Sequence, residues 1–238
     1  MRQQFTKLTL GAMGLLVPVL VVVFLGWHWS AYQVDSSAYV FYCITQTVSR
    51  PWGILTSVIL GIVLYYCRGS FPQHLPSFII LVLIIVGGGQ GIKTLLKPFF
   101  AEPRPYVVAL MNEMHAAPSN FYQHTGYERR QLVSHSSRYW PSIPQWQRNH
   151  WQHETGFSFP SGHSFFVASW LLLFYSLVAV KRYWPILIVV TLWAWAVMWS
   201  RMLLGMHWPR DIIASILIAW IFSVLVLCVY SLFSRHRT

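Results

Sequence analysis

Six stretches of this chain are apolar over lengths that reach or approach the thickness of a lipid bilayer: Leu8 to Trp29, Trp52 to Cys67, Pro76 to Leu96, Ser164 to Val180, Trp184 to Trp199 and Ile212 to Phe233. In hydrocarbon every backbone N–H and C=O must be satisfied within the segment, so such stretches are helices, and about 20 residues span the core. Lys93 is the only charge inside them. With 55% hydrophobic and 10% charged residues, the composition excludes an ordinary soluble domain. The expected fold is an all-α integral membrane protein with six transmembrane helices, the second being short, and one domain over residues 1–238.

The net charge of +11 has two readings, a nucleic-acid partner or an anionic membrane surface, and its distribution decides between them. Arg2, Lys7, Arg68, Lys181, Arg182, Arg235 and Arg237 fall at the N-terminus, in the second-to-third and fourth-to-fifth loops, and at the C-terminus. Alternating spans bring those places to one side, the cytoplasmic signature of the positive-inside rule. Both termini are therefore expected in the cytoplasm, and no nucleic-acid partner is implied. The first span follows Arg2 and Lys7 as a signal peptide would, yet its apolar core is too long and no small-residue cleavage site follows, so it reads as an uncleaved anchor. Cys43, Cys67 and Cys228 show no metal-ligand spacing and read as small apolar fillers.

Residues 97–162 form the one long inter-span segment, read as an inserted cap loop (98–162) on the periplasmic or extracellular side. It holds Glu102, Glu113, Glu128 and Glu154, four of the six acidic residues; only Asp35 and Asp211 lie elsewhere. The run VGGGQG at 86–91 reads as close helix packing with a local bend.

Three polar clusters end on the outer side of this topology. KPFFAEPRP (Lys97 to Pro105) sets Arg104 between two prolines that restrict its backbone. PSGH (Pro160 to His163) opens the fourth span, with Ser161 able to cap the helix and Gly162 leaving its backbone N–H groups open to an anion. SRMLLGMHWPRD (Ser200 to Asp211) joins the fifth and sixth spans. Singly, Lys97, Arg104 or Arg201 would be an interfacial anchor and His163 or His207 a boundary histidine. Together they are not explained so simply, because Asp211 stands four residues after His207, one helical turn away. That carboxylate can fix the His207 tautomer and leave Nε2 as a nucleophile. Three cations, two histidines, a carboxylate and a helix N-terminus suit phosphoryl transfer without a metal. His150 and His153 in HWQH offer at most a weak zinc pair, so neither metal nor cofactor is expected. Lys93, one turn deeper than Lys97, is a candidate headgroup contact, its alternative being a lysine snorkelling to the interface.

Lys97 with six residues before Arg104-Pro105, then Pro160-Ser161-Gly162-His163, then Ser200-Arg201 with five residues before His207 and three before Asp211, resembles the three-part signature of the type-2 phosphatidic acid phosphatase family. The resemblance implies that His207 is transiently phosphorylated, that Asp211 supports it, and that His163 serves as acid and then base. Lys97, Arg104, Arg201 and the Ser161-Gly162 backbone would hold the phosphate. It further implies membrane lipid phosphates as substrates: phosphatidylglycerophosphate, phosphatidic acid, diacylglycerol pyrophosphate and undecaprenyl pyrophosphate, in a bacterial inner membrane. Vanadium haloperoxidases share the pocket but are soluble, and a transporter would have no use for the paired histidines.

Overall fold

A computed structural model describes residues 2–33, 36–69 and 74–235; Asp35 and Arg237 lie outside them. The described elements are helices, accompanied by one isolated antiparallel bridge between Arg68 and Val178. In chain order they are α1 (Arg2–Phe24), α2 (Tyr39–Gln46), α3 (Trp52–Cys67), α4 (Leu75–Val82), a π-helical turn (Leu83–Gly87), α5 (Gly88–Phe100), α6 (Pro105–Glu113), α7 (Pro118–Gln123), α8 (Gly126–Ser134), α9 (Gln145–His153), α10 (Gly162–Leu177), α11 (Val180–Leu203) and α12 (Pro209–Arg235).

Four helical runs are long and apolar enough to cross a membrane: α1, the run that begins at Leu75, α11 and α12. With 16 residues each, α3 and α10 measure about 24 Å. The stretch from Trp52 to Cys67 coincides with α3, whereas α1 begins at Arg2 and α11 continues to Leu203, because polar residues add helical turns beyond an apolar run.

Helix α10 is the centre of the bundle. Its sequence is apolar all round, which suits burial on every side, and it packs against α1, α5, α11 and α12. Outward faces carry exposed apolar side chains, among them Leu20 and Val21 on α1, Ile54 and Ile62 on α3, and Leu225 and Val229 on α12. A belt of this kind is matched by lipid tails rather than water. Of the cysteines, Cys67 is buried as a filler should be, but Cys43 and Cys228 are exposed.

The glycine run works by close approach. A Cβ on Gly89 would lie 1.7 Å from the Phe165 ring, and one on Gly88 2.6 Å from Phe222, so both positions need glycine for α5 to reach α10 and α12. Gly87 and Gly91, expected to share that role, face open space. A π-helical turn, Leu83–Gly87, leads into Gly88, a feature that recurs at functional sites. Beyond it, Gln90, Lys93 and Lys97 follow at helical spacing on one face and line the same cavity.

Residues 101–161 carry helices α6 to α9 with a second apolar cluster. Tyr106 stacks on Trp151 with centroids 5.0 Å apart, and Phe121, Val133, Trp140 and Ile143 join them together with Leu204 and Met206. Helix α8 starts in a capping box made by Thr125 and Glu128. Because Leu204 and Met206 belong to this cluster, the segment is packed onto the α11–α12 connection itself.

Candidate active site

Local chain geometry places each functional side chain. Helix α11 is stopped by Gly205, two residues past its end, whose φ of +68° is one that L side chains rarely adopt, and a Cβ there would strike Trp29 at 2.5 Å. Met206 N–H bonds Arg201 C=O and Gly205 N–H bonds Met202 C=O, the two bonds of a Schellman stop. His207 N–H also donates to Arg201 C=O at 3.1 Å, so Arg201 and His207 are fixed relative to each other by backbone. Asp211 lies in the first turn of α12 and accepts from Trp208 N–H at 2.9 Å, half of a capping box. Ser161 caps α10 by accepting from Ser164 N–H at 3.3 Å.

Lys97, Arg104, Gly162, His163 and His207 line one cavity of 670 Å³, together with Lys93, Glu154, His150, His153, Ser49 and Arg50. The three clusters, which lie at 97–105, 160–163 and 200–211 along the chain, therefore meet in one space. The cavity does not admit every expected residue. Arg201 is 0% exposed and lies beneath the wall, Asp211 is likewise fully buried, and the Ser161 backbone N–H, expected to face a phosphate, is spent on Ser215 Oγ at 2.9 Å. Gly162 lines the cavity and lies close against Lys93, whose Cδ would be 2.5 Å from a Cβ there.

His207 Nδ1 is 3.4 Å from Asp211 Oδ2, long for a direct hydrogen bond, and 3.3 Å from Ser158 Oγ. Ser158 in turn donates to Asp211 Oδ2. The proton on Nδ1 thus has a relay to the carboxylate, and Nε2 makes no hydrogen bond among the described residues. Burial, with Arg104, Arg201 and Lys97 nearby, keeps the His207 imidazole well below its usual range and hence neutral, the state a nucleophile requires. His163 Nε2 is 3.0 Å from Ser49 Oγ.

Glu154, in sequence only one of four acids in its segment, is the hub of the cations. Both of its oxygens accept from Arg201 Nη2, at 2.9 and 2.8 Å, and Arg104 Nη2 lies 3.2 Å away. Burial alone would raise its pKa; Arg201 and Arg104 outweigh that and hold it well below the usual carboxylate range. Arg201 also donates to Thr45 Oγ1 at 3.0 Å and faces His150 Nε2 at 3.3 Å. Burial holds His150 down to about 3, so it stays neutral beside the guanidinium. His153 Nδ1 turns to Asn149 C=O at 2.7 Å instead of joining His150.

The tripeptide Gly156-Phe157-Ser158, outside all three clusters, ties the first to the third. Arg104 Nε donates to Gly156 C=O at 2.7 Å, Lys97 Nζ to Phe157 C=O, and Ser158 reaches Asp211. Lysine and arginine held in this way are oriented before any ligand arrives.

Comparison with known proteins agrees with the geometry. Residues 77–235 match the model of the PAP2 superfamily. The chain is 39% identical over 221 residues to phosphatidylglycerophosphatase B of Escherichia coli (strain K12), covering 92% of this chain and 87% of that protein. It is 31% identical over 205 residues to phosphatidylglycerophosphatase B of Haemophilus influenzae (strain ATCC 51907 / DSM 11121 / KW20 / Rd), covering 84% of each.

Proposed function

The chain belongs to the PAP2 superfamily and is a phosphatase of the membrane, and from that footing we propose that it removes the terminal phosphate of membrane lipids through a phosphohistidine, without a metal. The observation that carries this reading is the pairing of a neutral His207, relayed to Asp211 through Ser158, with Lys97, Arg104 and His163 around one cavity.

In the first step His207 Nε2 attacks phosphorus; the P–N bond forms as the bond to the lipid oxygen breaks, and His163 gives that oxygen a proton. Positive charge developing on the imidazole is met by Asp211. Lys97, Arg104 and the Gly162 backbone N–H meet the negative charge on the equatorial oxygens, and Arg201 joins them once its guanidinium turns from Glu154 to the phosphate. An arriving phosphate takes over the guanidinium groups that Glu154 engages in its absence. In the second step His163 accepts a proton from water, the hydroxide attacks phosphorus, the P–N bond breaks, and phosphate leaves.

Phosphatidylglycerophosphate is the substrate that the relatives' name suggests, with phosphatidic acid, diacylglycerol pyrophosphate and undecaprenyl pyrophosphate as further candidates. All six apolar helices cross a bacterial inner membrane, both termini are cytoplasmic, and residues 98–162 cap the site on the periplasmic side. Lys93, which lines the cavity one turn below Lys97, contacts the headgroup. The test is phosphate release by purified protein in detergent with EDTA on each lipid; a requirement for added divalent ion would sink the mechanism.

A further inference from the structure

The cations of the cavity differ in what they already hold. Arg104 and Arg201 donate to Glu154, and Lys97 is committed to Phe157 C=O. Lys93 donates to Gln90 Oε1 at 2.7 Å. Arg50 also lines the cavity, exposed, and makes no hydrogen bond or ion pair among the described residues. An exposed arginine is ordinarily solvated and means little. This one is fixed to the catalytic groups by its own neighbours: Ser49 contacts His163 Nε2 at 3.0 Å, and Thr45 accepts from Arg201 at 3.0 Å. The next residue but two, Gly53, donates its N–H to Ser49 C=O at 2.7 Å, and a Cβ there would lie 2.6 Å from Val48 O, so the turn carrying Arg50 is tightly closed.

Two further facts bear on what Arg50 does. The cavity, at 670 Å³, has the size of a pocket for a whole small-molecule group rather than for one phosphate. Charge points the same way. The side chains that line the cavity are in cationic excess, with Arg50, Lys93, Lys97 and Arg104 facing one carboxylate, Glu154, and such an excess suits a ligand that carries more than one anionic group.

We propose that Arg50 forms a second anion subsite at the mouth of this cavity, taking the phosphate next to the scissile one in lipids that carry two. The neighbour is either a phosphodiester one glycerol away or the inner phosphate of a lipid diphosphate; the chemistry shared is a second phosphate group. The inference rests on the lipid-phosphatase reading above and adds to it a preference for two-phosphate lipids.

The test compares the full-length protein with Arg50→Gln and Arg50→Lys in detergent. The substrates are phosphatidylglycerophosphate, diacylglycerol pyrophosphate and phosphatidic acid. The ratio of kcat/KM for a two-phosphate lipid to that for phosphatidic acid should fall about tenfold in Arg50→Gln, mainly through KM, and recover in part in Arg50→Lys. A fall with one two-phosphate lipid only identifies which neighbour the subsite takes. An unchanged ratio, whether activity drops uniformly or not at all, overturns the proposal. A binding readout separates it from the functional reading: inorganic pyrophosphate should raise the melting temperature more than inorganic phosphate does, and Arg50→Gln should remove the difference. Absence of that difference in the parent protein also overturns the subsite, whereas its presence without lipid turnover overturns only the proposed reaction.

Discussion

Ser158→Ala probes how the nucleophile is held. Ser158 is 0% exposed, its hydroxyl donates to Asp211 Oδ2 and lies 3.3 Å from His207 Nδ1, and its N–H is fixed to Glu102 C=O at 2.7 Å. The substitution deletes one oxygen and leaves the backbone anchor. Asp211 then keeps Trp208 N–H, with His207 Nδ1 at 3.4 Å, and its Oδ1 has no partner among the described residues. A hydrogen bond to an ionised group is worth about 1.5–3 kcal/mol. If that support is felt mainly when the imidazole turns positive, the loss falls on the transition state and slows turnover by roughly 10- to 150-fold. The assay is kcat and KM on one lipid phosphate, with rapid-quench measurement of the phosphoenzyme and a melting curve as a fold control. Turnover within about twofold of the parent, or a loss carried by KM alone, would refute the relay.

Glu154→Gln leaves Arg104 and Arg201 without their carboxylate, so the melting temperature should drop, and inorganic phosphate should restore more of it than in the parent protein because nothing competes for the guanidinium groups. Equal stabilisation of both proteins by phosphate would count against Glu154 as the phosphate's competitor. Stability should also depend on pH through His150, held at about 3 in the folded chain against about 6.5 unfolded. The unfolded state binds the extra proton between those values, so this contribution is complete above about 6.5 and is lost as pH falls towards 3. Melting temperatures at pH 8 and 5 should differ less in His150→Gln than in the parent; an unchanged slope would show that His150 is not the group responsible.

The apolar helices and the three clusters were legible because each is a local pattern: apolar length for the helices, four of which are long enough to cross a membrane, and short fixed spacings for Lys97 to Arg104, Pro160 to His163 and Arg201 to Asp211. What escaped depends on residues meeting across the fold. Glu154 follows a helix of histidines and glutamines that says nothing of two arginines 50 residues away on either side. Ser158 and the carbonyls of Gly156 and Phe157 act partly through backbone, which carries no side-chain signal. Helix α2, only eight residues long, lacks the periodic run that would announce it, although Thr45 on it accepts from Arg201. The glycine run announced close packing, but only the approach of Phe165 and Phe222 shows which glycines are needed.

The central claim is that His207 carries the phosphate between lipid and water. Incubating the purified protein with a lipid whose terminal phosphate is radiolabelled, quenching in alkali within one turnover and mapping the label tests it directly, since a phosphorylated imidazole survives base and decays in acid. The expected result is label on His207, formed in the presence of EDTA and abolished in His207→Ala. Full turnover with no labelled protein, or label on any other residue, would contradict the account.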